Sequence, residues 1–377
     1  IEHRGPDARD VKKINSVTFG HVRLSIMDTS SLSNQPMTIG DTTIVYNGSI
    51  WNFRQVREYL IQKYNLSFKT DGDTEVVASL IDKEDLSGIE KLQGMFAIAW
   101  TKGDGDITLV RDRFGETPIH YSHLESSFFP EFVFCSEIKG LRALGVHHDN
   151  IKMLKPGSYL KVKNTEKVGE GLWYNIRDKI KTSNFNDRQT AANQIKSLVE
   201  KGSEERTVSA VPVCSLLSGG VDSSVITMAA MKKIKGLVSY IAVFNENSKD
   251  LKCAREVAEM LNIDLVEVKV EPPTVDDVKS IIDTIEMSYK AQVEIAWPCI
   301  KLAQRIQSDG FKVVMSGEGS DELWASYGMS YHGIQKEGWK DYRINLFGSQ
   351  ERKNFARCNK IFMRYGVECR LPFLNTE

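Results

Sequence analysis

The chain lacks most of what would assign a protein to a special class. No apolar run in its 377 residues is long enough to span a bilayer. Its start has no signal-peptide pattern. Net charge is nearly absent: 49 Lys and Arg stand against 50 Asp and Glu, a formal balance of −1, so neither nucleic acid nor a membrane surface is favoured as a partner. There is no internal repeat and no low-complexity tract. The six cysteines (Cys135, Cys214, Cys253, Cys299, Cys358 and Cys369) form no C-x-x-C pair. Several lie in apolar surroundings, as in Val213-Cys214-Ser215-Leu216, which predicts buried thiols in a reducing, cytoplasmic compartment rather than disulfides or a zinc site. There is no initiating Met: the chain begins Ile1-Glu2-His3 and stops at Asn375-Thr376-Glu377, so a longer gene product is expected. The 41% hydrophobic and 26% charged contents are ordinary for a globular protein, and the length allows two or three domains.

What is present is more specific. Leu216-Leu217-Ser218-Gly219-Gly220-Val221-Asp222-Ser223-Ser224 follows a short apolar run, Val211 to Leu217, and leads into apolar-periodic Val225 to Met231. That order reads as strand, glycine-rich turn, helix. Such a turn exposes backbone N–H groups, and the new helix directs its positive end at the same spot. Two glycines permit close approach of an anion. Ser218, Ser223 and Ser224 add hydroxyl donors. Asp222 would repel phosphate directly, but suits a magnesium ion lying between them. The competing reading is a tight turn before a core helix.

Two regions differ in character. Up to about residue 180, short alternating runs (Ser16 to Ile26, Thr42 to Tyr46, Met95 to Trp100, Ile107 to Val110, Phe132 to Cys135, Gly157 to Val162) predict a β-rich region, with helices over 53–64 and 74–81. Beyond it, helices and apolar strands alternate: helix 190–200, strand 211–217, helix 224–233, strand 238–244, helix 252–261, strand 265–270, helices 275–285 and 299–308, strand 313–315. This rhythm predicts an α/β doubly wound parallel sheet, followed by a helical end. Lys181 to Arg188 reads as the linker, giving domains 1–180 and 181–377.

Val313-Val314-Met315 runs into a second such turn, Ser316-Gly317-Glu318-Gly319-Ser320-Asp321-Glu322, now with three acids. Ligands bind outside the carboxyl ends of strands in these sheets. Two turns facing one crevice would let Asp222 and Asp321 share magnesium on a nucleotide's phosphates; otherwise the second is a solvated acidic loop.

The first turn resembles the pyrophosphate loop of the ATP-pyrophosphatase superfamily. The second, with Asp250 to Ala258 and Gly366 to Leu374, resembles segments of the glutamine-hydrolysing asparagine synthetase family. His3 to Asp7, Arg23 to Ile26, Asn34 to Met37, Tyr46 to Gly48, Gly72 to Glu75 and Arg111 to Glu116 resemble a class II glutamine amidotransferase domain, in family order. The resemblance implies an α+β glutaminase domain of layered antiparallel sheets with helices, then an ATP-pyrophosphatase-type synthetase domain. The first would hydrolyse glutamine, with ammonia passing inside the protein. The second would adenylate a carboxylate, aspartate in the named family, with ATP and magnesium, and ammonia would displace AMP. A homodimer is a family expectation.

The resemblance also implies roles. Arg23, with Leu24, would bind glutamine through its carboxylate, and Asp73 would hold the ammonium. Asn47 and Gly48 would form an oxyanion hole; alone, that pair reads as a hairpin turn. Ser218, Gly219, Gly220, Ser223 and Ser224 would hold phosphates, and Asp222 and Asp321 magnesium. Ser316 and Gly317 would touch the nucleotide. Leu216 and Val243 would flank adenine or belong to the core. Glu318 would orient or deprotonate ammonia, and Arg370 would serve or brace the site. The nucleophilic N-terminal Cys and a C-terminal Lys are expected outside these residues.

Three positions depart from the family pattern. Ser49 stands where Glu is usual, predicting weaker glutamine binding or a lost glutaminase. Glu294, in Met287 to Trp297, replaces residues suited to an anionic acceptor, and Asn354 stands for Asp. Local misalignment and a different acceptor carboxylate both explain these. A homologue that only binds nucleotide or a partner is disfavoured by the clustered acids Asp222, Glu318 and Asp321.

Overall fold

The computed structural model describes residues 1–103, 105–125, 130–180, 187–328, 330–350 and 354–376. The chain divides into two compact units, Ile1–Ile176 and Arg177–Glu377. Of the expected linker, residues 181–186 lie outside the described residues.

The first unit contains strands β1 (Ala8–Ile14), β2 (Val17–Arg23), β3 (Met37–Ile39), β4 (Thr42–Ile50), β5 (Gly94–Thr101), β6 (Asp106–Arg111), β7 (His120–Glu125), β8 (Pro130–Cys135), β9 (Lys152–Met153), β10 (Ser158–Lys163) and β11 (Glu166–Leu172). They form three antiparallel sheets: β1-β2, the six-stranded β11-β10-β6-β5-β4-β3, and β8-β7-β9. Inward-facing residues of different sheets share a core, with Phe19 from β2, Val45, Ala97, Leu109 and Leu160 from the large sheet, and Phe134 packed against them. Helix α1 (Phe53–Tyr64) buries Phe53, Val56 and Leu60, a single face at helical spacing, and ends on Asn65 in the left-handed region. Helix α2 (Thr74–Glu84) starts at Asp73 and is buried along most of its length. Helix α3 (Ile138–Ala143) follows β8.

The turn after β6 is organised by one carboxylate. Asp112 is fully buried and accepts N–H bonds from Phe114, Gly115, Glu116 and Thr117 at 2.6–3.0 Å. Burial pushes its carboxyl up, and neighbouring Arg111 with the N–H groups opposes that. Arg111 holds the same turn from outside, donating to the carbonyls of Gly115, Thr117 and Leu154.

The second unit has helices α4 (Arg188–Glu205), α5 (Val221–Met231), α6 (Lys249–Leu261), α7 (Val275–Ile285), α8 (Lys290–Ser308), α9 (Ser320–Trp324), α10 (Ser330–Glu337), α11 (Trp339–Gln350) and α12 (Asn354–Arg364). Its strands are β12 (Val213–Leu216), β13 (Val238–Val243), β14 (Asp264–Lys269), β15 (Val313–Met315) and β16 (Glu368–Arg370). All pairings are parallel, in the order β14-β13-β12-β15-β16. The order reverses between β12 and β15, so the crevice of such a sheet opens at their carboxyl ends.

In the second unit the clearest differences from expectation are these. The helix expected at 299–308 begins at Lys290 and runs through Pro298. Proline reads as a boundary because it removes a helical N–H. Here buried Gln292, Ala296 and Trp297, with the Trp297 indole donating to the Glu271 carbonyl at 2.7 Å, anchor the preceding turns. The end expected to be helical also carries β16, whose three residues are too few to show a period.

Asp112→Ala should destabilise the first unit by about 4 kcal/mol, since several buried N–H donors lose their acceptor together; urea unfolding measures this. A second prediction concerns acid stability. Burial opposes ionisation of Glu84, but bonds from Lys91, Tyr59, Lys63 and Tyr64 prevail and pull it from 4.5 to about 2. A depressed carboxyl adds stability that is complete above its unfolded value, so this contribution should fade as pH falls from 4.5 towards 2. Glu84→Gln should flatten that part of the melting-temperature profile.

Candidate functional site

The two glycine-rich turns leave adjacent strands. β12 runs into Ser218-Gly219-Gly220 and β15 into Ser316-Gly317. They touch: a Cβ on Gly317 would lie 3.1 Å from the Ser223 nitrogen and 3.2 Å from Asp222 Cβ. The second turn therefore packs on the first turn of α5. Gly220 caps that helix, and Ser223 and Ser224 return hydroxyls to the Gly220 carbonyl at 3.2 and 2.7 Å. The Ser218 and Ser223 hydroxyls are 3.0 Å apart. Gly219 takes φ +78, and a Cβ there would come within 2.7 Å of Asp250 O and Ala254 N in α6. Only glycine meets both demands. Gly319, at φ +97, lies against Leu374 in the same way.

Asp222 stands in the first turn of α5 and Asp321 in that of α9. Asp321 accepts the Ser326 hydroxyl at 2.6 Å. Among the described residues no group of three or more His, Cys, Asp or Glu could hold a metal. Two carboxylates at touching turns nonetheless fit magnesium, which takes one or two protein carboxylates and completes its shell with phosphate oxygens and water.

Behind the turns lies a buried polar network that the sequence did not disclose. Glu318 is paired with Arg357 of α12 at 3.1 Å, and the Cys358 thiol faces its other oxygen at 3.9 Å. Burial raises the Glu318 carboxyl, with Arg357 opposing. Arg357, 2% exposed, also donates to Gln292 at 2.7 Å and Asn354 at 3.1 Å. Asn354 donates to Glu322 and accepts from Gln292, both at 3.1 Å. Tyr327 donates to Glu322 at 2.5 Å. An Arg three residues after Asn354, on a helix otherwise buried, is the available signal. Glu294, expected to repel an anionic acceptor, points elsewhere: its side chain is 63% exposed, 3.7 Å from Lys290.

Three further expected residues lie on strands of the second unit. Arg370 is fully buried, pairs with Glu368 at 2.7 Å and donates to the Arg206 and Val208 carbonyls. Its backbone carbonyl accepts the Ser316 N–H at 3.0 Å. Val243 belongs to an apolar cluster with Leu217, Ile241 and Leu251. Leu216 is half-buried at the end of β12. The six cysteines are free thiols.

In the first unit a separate cluster forms around β2 and β4. Asp73 accepts the Tyr46 hydroxyl at 2.8 Å and the Ile50 N–H at 2.9 Å, and lies between those residues' strand and α2. Asn47 and Gly48 lie between them in mid-strand, opposite Ala97 and Phe96, so the hairpin alternative is excluded. Gly48 holds φ +146, and a Cβ would sit 2.0 Å from the Met95 carbonyl oxygen. Asn47 is 3.5 Å from the Ser136 hydroxyl. Arg23 closes β2 and donates to Asn34 and the Ser30 carbonyl at 2.7 Å and to the Asp28 carbonyl at 2.5 Å. Leu24 follows it, half-buried. Burial lowers the Arg23 guanidinium, opposed by Asp28, Asp7 and Asp73, so all three acids face it. His21, lowered to about 4 by burial, is neutral and contacts the Tyr46 carbonyl at 3.2 Å. Ser49 is wholly buried. Tyr46, Asn34 and Ser136 were not foreseen as site residues, although the first two lie in the quoted segments.

The glutamine amidotransferase domain family model matches residues 1–197, and the asparagine synthase model residues 194–357. Asparagine synthetase B of Escherichia coli K12, named as glutamine-hydrolyzing, is 29% identical over the whole chain, which spans 69% of its length. A Methanocaldococcus jannaschii relative, also named for glutamine-hydrolysing asparagine synthesis, is 30% identical over 98% of the chain and 70% of its own. Asparagine synthetase 3 of Arabidopsis thaliana is 27% identical, and the chain spans 65% of it. Among solved structures, a glutamine-dependent NAD+ synthetase from Acinetobacter baumannii overlaps 76% of each chain at 13% identity and a TM-score of 0.29.

Gly219→Ala should cost the second unit about 2 kcal/mol by strain and by displacing the turn from α6, measured by denaturant unfolding.

Proposed function

Because the chain belongs to the glutamine-hydrolysing asparagine synthetase family, ligases that form C–N bonds with ATP, we propose that it converts aspartate to asparagine through an acyl-adenylate, with ammonia from glutamine. The observation that carries this is the contact of two glycine–acid turns at the point where the parallel strand order reverses.

In this reading Ser218, Gly219, Gly220, Ser223 and Ser224 hold the β- and γ-phosphates at the α5 N-terminus. Ser316 and Gly317 lie along the nucleotide, with Leu216 beside the base. Asp222 and Asp321 would hold magnesium, which when bound neutralises charge on the departing pyrophosphate. Glu318 receives ammonia and orients its lone pair to the acyl carbon, keeping water from that place. In the first unit Arg23 and Leu24 take the glutamine carboxylate, Asp73 its ammonium, and Asn47 with the Gly48 N–H the oxyanion.

A related ligase acting on a different carboxylate is the second reading. It is favoured by the amides of Gln292 and Asn354 beside Glu318, where an acidic residue is usual at 354. Buried Ser49 in place of Glu favours an impaired glutaminase.

The full-length gene product with ATP, magnesium and aspartate should form asparagine and AMP from ammonium, followed by mass spectrometry; glutamine in place of ammonium reports on the first unit. Asp321→Ala should lower AMP formation at least about 100-fold. Pyrophosphate release with another carboxylate and none with aspartate would establish the second reading.

A further inference from the structure

Glu318 can act on ammonia only if its carboxylate stays aimed, and one group aims it. Arg357 places one nitrogen 3.1 Å from Glu318 Oε1. Its other terminal nitrogen is held by Gln292 Oε1 at 2.7 Å and Asn354 Oδ1 at 3.1 Å. The two amides are locked together: Gln292 Nε2 donates to Asn354 Oδ1 at 3.1 Å, which leaves Gln292 Oε1 facing the guanidinium. Asn354 is fixed in turn, because its Nδ2 donates to Glu322 Oε1 at 3.1 Å and to the Tyr327 oxygen at 2.8 Å. Gln292, Asn354 and Arg357 are 8%, 8% and 2% exposed, so water cannot readily replace a lost partner.

An amide is the only group that suits position 354 here. Its oxygen must accept from Gln292 and Arg357 while its nitrogen donates towards fully buried Glu322. A carboxylate would accept but could not donate, and would set one anion against another. At Gln292 the oxygen is the acceptor for Arg357 at 2.7 Å, and the nitrogen adds one bond, to Asn354 Oδ1. Asn354, which departs from the family pattern, and Gln292 thus form a hydrogen-bonded pair on Arg357.

We propose that Gln292 and Asn354 are positioning residues for Glu318, acting through Arg357. The proposal rests on the reading of Glu318 as the ammonia-orienting group. The groups facing Glu318 are Arg357 and Cys358 from α12, Cys299 from α8, Cys369 from β16, Asp321 and Glu322 from α9, and Tyr327. Arg357 is the sole cation among these, so its orientation governs where the carboxylate points.

The test compares Gln292→Leu with Gln292→Glu. Leu removes the acceptor for Arg357; Glu retains it. Two rates are measured on the full-length protein: ATP–pyrophosphate exchange with the acceptor carboxylate, and amide formation from ammonium. Gln292→Leu should lower amide formation at least about tenfold while exchange stays within about threefold, and Gln292→Glu, which keeps the Arg357 acceptor but not the bond to Asn354, should recover part of the amide formation. A purely structural role predicts the reverse order, because a buried carboxylate is tolerated worse than Leu. Equal loss of both rates in Gln292→Leu, or a poorer Gln292→Glu, would overturn the proposal. A crystal structure of Gln292→Leu supplies an arm independent of turnover: Arg357 and Glu318 should separate beyond hydrogen-bond reach, and an unchanged pair would also overturn it. If the unaltered protein shows no exchange, the adenylation reading fails while the crystal structure still decides the positioning.

Discussion

The second unit depends on one close approach, that of Gly317 to the first turn of α5. Parallel pairing of β12 with β15 sets the strands side by side, and the turns that follow meet closely because position 317 carries no side chain against Asp222 and Ser223. Everything chemical is hung from this point. Asp222 belongs to one turn, Asp321 and Glu318 to the other, and the helix that gathers backbone N–H groups starts between them. A bulkier residue at 317 would part the acids from the helix end together, so the geometry is held as a unit.

The first unit solves a comparable problem inside an antiparallel sheet. Gly48 gives up its side chain so that β4 and β5 can approach, and Asp73 is clamped by a hydroxyl and an N–H from the same strand. Asn47 and Gly48 stand on paired strand backbone and Arg23 closes β2, which keeps these groups stationary. Arg23 is held at its tip by carbonyls of the turn after it, and three acids surround it.

The fold was largely legible because its signals are local. Short apolar runs marked β4 and β5, helical spacing of Phe53, Val56 and Leu60 marked α1, and glycines beside apolar runs marked both turns. The order of strands in the parallel sheet was not readable, since it depends on pairings between distant segments. The first turns of α8 were missed because Pro298 reads as a boundary whereas packing of Trp297 overrides it. The Arg357 network was invisible for a different reason. Its members come from α8, α9 and α12, and no sequence spacing relates Gln292 to Asn354. Glu294 misled because its neighbour Gln292, two places earlier, is the inward residue of that helical turn.

The hydrogen bond from the Ser316 N–H to the Arg370 carbonyl has a consequence for synthesis of the chain. β15 leaves the ribosome well before β16, so the turn carrying Glu318 and Asp321 emerges with its outer edge unpaired. The first unit's strands among the described residues, up to Leu172, all precede both. Order along the polypeptide is therefore order in time: those sheets can pair while the crevice at the ends of β12 and β15 still waits for β16.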